Sequence, residues 1–251
     1  MVSNAPSRRR PVFSAATAFA LVMTLAIGAC TEAAQPEWPR SDPPEPAVAR
    51  GSGHELAGSL HGRTGAALTV GDAASRLEVR AVELPGLLYR ITTPAESGLA
   101  PRVTGTAGRV QVGLRPTGAD GPDVVTVELN RVVRWVVRLP AGAGEQHLDL
   151  AEGRIAGLEL GAAGLIDLRL PRPVGTVPVT FTDGTGSVEI AAPRGTAVRV
   201  RLRAGAGEVA SGWAANDGSP PGTVLTSPGW TTAGDRYTID ARASVGALTL
   251  R

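Results

Sequence analysis

The sequence of 251 residues contains no lysine, one cysteine and three histidines, and only nine of its side chains are aromatic: three Phe, two Tyr and four Trp. All 25 basic residues are arginine. Without lysine, chemistry that needs a lysine amine is excluded. The single cysteine, Cys30, cannot form a disulfide within the chain, so the fold does not depend on one.

The scarcity of histidine also limits metal chemistry. A zinc site needs three or four converging ligands. His54 and His61 are the only two histidines close in sequence, and Glu55 is the one further candidate ligand between them. Their spacing fits no standard motif. Nothing resembles the Gly-x-Ser-x-Gly turn of hydrolases. We therefore expect no metal, no cofactor and no catalytic residues.

The N-terminus has the pattern of an export signal. Arg8, Arg9 and Arg10 precede an uncharged apolar run that ends at Cys30. Positive charge followed by a short apolar core and small residues is typical of a signal peptide, which we place at residues 1–29. The sequence "IGAC" resembles the lipobox of bacterial lipoproteins, which implies that Cys30 is lipidated and anchors the protein to the extracytoplasmic face of the cell membrane.

Export changes the charge balance. Loss of residues 1–29 removes three arginines and no acid, leaving 22 arginines against 23 acids, a net charge of −1. Bulk charge then gives no support for nucleic-acid binding. Residues 30–52, which begin at Cys30, contain five prolines and no apolar periodicity, and this composition indicates an extended tether.

Residues 53–251 have the texture of short β-strands. Apolar residues alternate with polar ones around Trp135, Ile166, Val179 and Val200, and Gly, Pro or Asp-Gly turns separate the segments. Strand starts lie about 10 to 11 residues apart, so two strands and two turns form a unit of about 21 residues. The pattern predicts a single all-β domain, a β-solenoid with Gly-rich corners; the alternative is a β-sandwich.

Gly-x-Gly steps at Gly184–Gly186 and Gly205–Gly207 open into strands. A phosphate-binding loop requires a helix after its glycines, so these steps indicate corners of the repeat. Trp213, Trp230 and Tyr237 near the C-terminus are predicted to cap the open end of the solenoid.

The segments "GTVPVTF", "GTAVRVRLRAGAGEV" and "SPGWTTAGDRYTIDARASVGALTLR" resemble the putative-adhesin, or toast-rack, repeat domains of bacterial envelope proteins, actinobacterial ones in particular. The resemblance covers about half of the chain, from about Arg134 to Arg251. It implies a β-solenoid and a surface location, and it provides no catalytic residues to transfer.

Two sets of charged residues are candidates for function. Arg199, Arg201 and Arg203 form a basic stripe on one predicted strand, suited to anionic head groups or acidic cell-wall polymers. Asp167, Glu189 and Asp240 are outward carboxylates that would act as acid and base in a polysaccharide-acting enzyme if they converged.

The function that the sequence favours is a non-catalytic, membrane-anchored surface module: an envelope scaffold, an adhesin-like domain or a binding domain. Its partners would be the membrane, through the lipid anchor, and an envelope polymer or another envelope protein. The alternatives are a polysaccharide-acting β-solenoid enzyme, which requires clustered carboxylates in a groove, and a carrier of a hydrophobic ligand, which requires an apolar cavity.

Overall fold

A computed structural model describes residues 53–105 and 108–251, and these residues form nineteen β-strands and no helix. The predicted signal peptide, Cys30 and the tether lie outside the described residues. The strands are β1 (His54–Ser59), β2 (Gly65–Val70), β3 (Ala74–Val82), β4 (Leu87–Thr93), β5 (Leu99–Thr104), β6 (Arg109–Pro116), β7 (Val124–Asn130), β8 (Arg134–Leu139), β9 (Ala143–Asp149), β10 (Arg154–Leu160), β11 (Ala163–Arg169), β12 (Thr176–Phe181), β13 (Thr185–Ala191), β14 (Ala197–Leu202), β15 (Ala206–Ser211), β16 (Ala215–Ser219), β17 (Thr223–Thr226), β18 (Arg236–Ala241) and β19 (Val245–Leu250).

The strands form two sheets, and through most of the chain successive strands alternate between them. Sheet A has ten strands in the order β1-β4-β7-β3-β9-β11-β13-β19-β15-β16. Sheet B has nine, in the order β17-β14-β18-β12-β10-β8-β2-β6-β5. From β7 to β15 in sheet A and from β14 to β6 in sheet B, all neighbours are parallel. The pairs outside these stretches, β1–β4, β4–β7, β15–β16, β14–β17 and β5–β6, are antiparallel. Parallel pairing between successive coils is the solenoid arrangement, whereas a β-sandwich is built from antiparallel sheets.

The predicted coil length is confirmed in the middle of the stack. Ile166 lies beside Gln146 on one side and Val188 on the other, which are 20 and 22 residues away in sequence. Along the inner strands, alternate residues point inward and are buried, among them Trp135, Phe181 and Val200. One continuous apolar core therefore fills the space between the sheets.

Glycines at the second position of four strands of sheet A, directly after the corners, allow the coils to approach closely. A Cβ atom at Gly144 would lie 2.7 Å from the carbonyl oxygen of Ser75, and one at Gly207 would lie 2.6 Å from that of Gly246. Added Cβ atoms at Gly186 and Gly246 would likewise collide with the carbonyl oxygens of Gly164 and Gly186. The second glycine of each Gly-x-Gly step thus belongs to a glycine column across the sheet, which confirms the corner interpretation.

The order of coils differs from simple sequential stacking at both ends. The last coil, β18 and β19, lies between two earlier coils: β18 pairs with β12 and β14, and β19 pairs with β13 and β15. The Gly-x-Gly steps of β13 and β15 are therefore not direct neighbours. Near the N-terminus, β2 and β3 are inserted in the same way between β6 and β8 and between β7 and β9.

The predicted aromatic cap is wrong for Tyr237. Its side chain is fully buried within the last coil, and its hydroxyl donates to the carbonyl oxygen of Pro171 at 2.9 Å. Trp213 and Trp230 are half-buried in the turns beyond β15 and β17. The last coil is inserted into the stack, so its aromatic residue belongs to the core and not to the end. Across the described ranges, we find no helix able to span a membrane.

Candidate functional site

The outer surface of sheet B is strongly basic. Its strands contain nine arginines and only two carboxylates, Glu159 and Asp240, a net charge of +7. We call this surface the basic face. Its arginines are Arg102, Arg109, Arg115, Arg134, Arg138, Arg154, Arg199, Arg201 and Arg236.

The outer surface of sheet A has the opposite charge. Its strands contain nine carboxylates and four arginines, a net charge of −5. We call this surface the acidic face. Its carboxylates are Glu55, Glu78, Glu128, Glu145, Asp149, Asp167, Glu189, Glu208 and Asp217, and its arginines are Arg76, Arg80, Arg90 and Arg169.

The two faces also differ in how their arginines are paired. Every arginine of the acidic face has a carboxylate partner, for example Arg76 with Glu145 at 2.7 Å and Arg80 with Glu78 at 2.7 Å. On the basic face, Arg138 alone forms such a pair within the described ranges, with Glu159 at 3.7 Å. The other eight guanidinium groups have no carboxylate partner among the described residues, so their charges are not neutralised by an ion pair.

Two members of the predicted stripe, Arg199 and Arg201, lie on β14 of the basic face, and Arg203 directly follows this strand. The three members have different surroundings. Arg201 is exposed. Arg203 donates from Nε and Nη2 to the two carboxylate oxygens of Asp240, both at 2.8 Å. This hydrogen bonding is the main reason why the pKa of Asp240 is lowered, and the positive charges of Arg203, Arg242 and Arg201 lower it further. Of the three, Arg203 is thus already engaged by a carboxylate.

Arg199 is held by an aromatic side chain. Its guanidinium carbon lies 4.1 Å from the ring centroid of Trp230, and that of Arg236 lies 4.3 Å from the same centroid. Arg236 also donates to the hydroxyl of Thr176 at 3.0 Å. A cation–π contact fixes the position of a guanidinium group and leaves its positive charge in place, so this cluster holds two positive groups in defined positions.

A groove of about 430 Å³ crosses the acidic face. Glu78, His147 and Asp167 lie in register on the neighbouring strands β3, β9 and β11 and line it. His147 Nε2 lies 3.1 Å from Glu145 Oε2, and this contact, followed by the hydrogen bond from Arg76, lowers the pKa of Glu145. The groove is polar, and its charges of both signs suit hydroxyl and carboxylate groups.

The three carboxylates predicted for an enzyme do not converge. Asp167 and Glu189 are paired in register on β11 and β13 of sheet A. Asp240 lies on β18 of sheet B, on the opposite surface. The groove instead gathers Glu78, Asp149 and Asp167. His54 and Glu55 lie on β1 and His61 in the turn after it, and no metal-like group of ligands occurs in the part of the chain that the structure describes.

Sequence reasoning missed the opposed charges of the two faces because it summed charge along the whole chain. The described residues carry a net charge of only +1, with 20 arginines and 19 acids. The signal is nevertheless present: β8 and β14 each carry two arginines and no acid, whereas β9 carries two carboxylates and no arginine. Summing the charges of alternate strands would have found it.

Comparison with solved structures shows the fold. A protein from Clostridium sporogenes described as a "putative cell adhesion protein" superposes with a TM-score of 0.59 at 15% identity, over 79% of this chain and 100% of its own. A "putative adhesin" from Bacteroides fragilis aligns over 78% of this chain and 97% of its own, with 10% identity and a TM-score of 0.24. The sequence matches no family model and no curated protein. At 15% identity, the likeness to the Clostridium protein shows that the chain has the same all-β architecture.

Proposed function

We propose that this protein is a non-catalytic, lipid-anchored surface module of the adhesin type, and that its basic face binds an acidic polymer of the cell envelope. The observation that carries the proposal is the set of eight arginines on sheet B that lack a carboxylate partner within the described ranges. The description of the Clostridium protein as a cell adhesion protein supports a surface role.

The shape of the basic face suits a linear polyanion. Nine strands at about 4.8 Å spacing make a surface about 38 Å long across the strands. Each exposed ion pair contributes only about 0.2–1 kcal/mol, so binding requires several contacts along this length. Such binding weakens steeply with ionic strength, because exposed charges are screened by salt.

A comparison of two triple variants tests the binding. We would use a soluble chain of residues 31–251, which keeps every described residue, and measure binding to immobilised polygalacturonate, with dextran as the neutral polymer. Arg134→Ala, Arg154→Ala and Arg201→Ala on the basic face should together lower the affinity at least tenfold. Arg76→Ala, Arg80→Ala and Arg169→Ala remove the same charge from the acidic face and should lower it less than twofold.

Equal losses in both triple variants, or equal binding of dextran, would contradict binding through the basic face. Vesicles of phosphatidylglycerol provide a further comparison with the same variants. If the wild-type chain bound these vesicles and not the polymer, the membrane surface would replace the envelope polymer as the ligand.

The anchor is tested separately, since Cys30 lies outside the described residues. The full-length protein and Cys30→Ala are expressed in an actinobacterial host and partitioned with a phase-separating detergent. We expect the wild type in the detergent phase and the variant in the aqueous phase. Aqueous partition of both proteins would mean that the chain is secreted without a lipid.

The groove on the acidic face favours polysaccharide cleavage as a second candidate function. Glu78 and Asp167 lie two strands apart, about 9.5 Å between their Cα positions. Inverting glycosidases place their two carboxyl groups about 6.5–9.5 Å apart, and side chains on strands at this Cα spacing can reach such a separation. Release of reducing ends from an acidic or neutral glycan by the wild type, and its loss in Asp167→Asn, would establish this alternative.

A further inference from the structure

The opposite charges of the basic and acidic faces make the domain complementary to itself. The faces lie on the two outer surfaces of a two-sheet domain, with net charges of +7 and −5 in their strands. Repulsion between copies is weak, because the described residues carry a net charge of only +1. Low net charge with strong separation of charge favours ordered contact between copies.

The size of each face matches a protein–protein interface. A surface about 38 Å long across the strands and about 20 Å wide along a six-residue strand covers about 760 Å². Stable interfaces bury about 800 Å² on each partner. A whole face therefore supplies the area that a stable contact needs.

We propose that copies of this chain associate through their opposite faces, the basic face of one copy on the acidic face of the next. Such a contact is heterologous, because two different surfaces meet. Each added copy leaves one basic and one acidic face free, so the assembly is an open row and not a closed dimer. The inference goes beyond polymer binding and does not depend on it.

Sedimentation velocity of the soluble chain of residues 31–251 tests the association. At about 20 mM NaCl we expect the sedimentation coefficient to rise with protein concentration. At about 300 mM NaCl we expect a monomer, since screening removes the attraction between the faces. A monomer at both salt concentrations, at up to 0.5 mM protein, would overturn the proposal.

Charge reversal identifies the surfaces. The basic face becomes net negative in Arg109→Glu, Arg134→Glu, Arg154→Glu and Arg201→Glu, all at exposed positions. The acidic face becomes net positive in a second variant, Asp167→Arg, Glu208→Arg and Asp217→Arg. Each variant alone then has two faces of the same sign and should remain monomeric at about 20 mM NaCl.

A mixture of the two variants provides the decisive measurement. The acidic face of the first variant still matches the basic face of the second, so the mixture should form one-to-one dimers and nothing larger. Association of either variant alone, or a mixture that stays monomeric, would overturn the proposal. Circular dichroism of each variant confirms that the β-structure is retained. Polymer binding is measured on dilute monomer, so the two proposals fail independently.

Discussion

Gly246 packs so closely against the carbonyl oxygen of Gly186 on the neighbouring strand that the contact leaves no room for a Cβ atom on Gly246. The same contact links Gly186 to Gly164. The spacing between coils in sheet A therefore requires glycine at each position of the column. This requirement explains the second glycine of each Gly-x-Gly step.

We expect Gly186→Ala to lower the free energy of unfolding by about 1–3 kcal/mol, because its Cβ atom would meet rigid backbone. Gly184, two residues earlier in the same step, is the matched control: an added Cβ atom would lie 4.0 Å from the nearest backbone oxygen, that of Ser244. Gly184→Ala should change stability by less than about 0.5 kcal/mol. Urea denaturation measures both, and equal losses would contradict the role of the column.

Alkaline pH should destabilise the fold through Tyr237. Burial raises the pKa of Tyr237, whereas a tyrosine of the unfolded chain ionises near pH 10. Above that pH the unfolded chain releases a proton that the folded state keeps, so stability falls as pH rises, by up to about 1.4 kcal/mol per pH unit. No lysine titrates in this range, since the chain contains none.

Tyr237→Phe should reduce this alkaline loss, and it should cost about 1–3 kcal/mol at pH 8 by leaving the carbonyl oxygen of Pro171 without its buried donor. Denaturation at pH 8 and pH 11 measures both effects. Tyr89→Phe is the comparison, because the pKa of Tyr89 is also raised by burial but its side chain is half-buried. An unchanged pH dependence in Tyr237→Phe would contradict the assignment.

A polar side chain in the core should limit stability. Gln146 is fully buried between Leu77 and Ile166, and its Oε1 has no partner within the described residues. Its Nε2 makes only long hydrogen bonds, 3.3 and 3.4 Å, to Ala162 and Gly161.

Gln146→Leu should therefore raise the free energy of unfolding by about 1 kcal/mol, because the unsatisfied oxygen is removed. Leu148→Gln, two residues along the same strand and also buried, places an amide in the core and should destabilise by about 1–3 kcal/mol. Thermal unfolding ranks the three proteins, and a less stable Gln146→Leu would show that the amide supports the core.

Removing a carboxylate from the basic face should strengthen polyanion binding. Asp240→Asn removes the negative charge and one of the two acceptors that hold Arg203, so affinity for polygalacturonate should rise about threefold at about 20 mM NaCl. Asp217→Asn removes the same charge from the acidic face and should leave affinity unchanged. If both substitutions raised affinity equally, net charge alone would explain the binding.

The same substitution has a defined effect on pH dependence. Because the pKa of Asp240 is lowered in the folded protein, its pair with Arg203 contributes stability above the ordinary aspartate pKa of about 4. This contribution is lost as pH falls through the lowered value. Asp240→Asn should remove that part of the acid sensitivity, and the change should be small because the pair is exposed to solvent.

The all-β class and the coil length followed from local pattern, since period-2 alternation and the glycine steps occur within one strand and turn. The insertion of the last coil could not be predicted in this way. The inward residues Val198 and Val200 of β14 and Tyr237 and Ile239 of β18 are similarly apolar, so either strand would pair with β12 by pattern alone. The choice depends on tertiary packing.

The candidate site was predicted in part for the same reason. A basic stripe at Arg199, Arg201 and Arg203 was visible within one strand, but its extension to Arg134 and Arg154 depends on which strands share a sheet. The contact of Arg203 with Asp240, 37 residues away, likewise joins segments that are far apart in sequence.

The insertion of the last coil sets an order of events for a chain that emerges N-terminus first. Until residues 236–251 are available, β12 and β13 on one side and β14 and β15 on the other each present an open edge to the gap. The native pairing on both sides of the gap therefore forms only when the last coil is available. Completion of the domain therefore depends on its final segment. A chain truncated before β18 would expose two unpaired strand edges, which are prone to pair with strands of other chains.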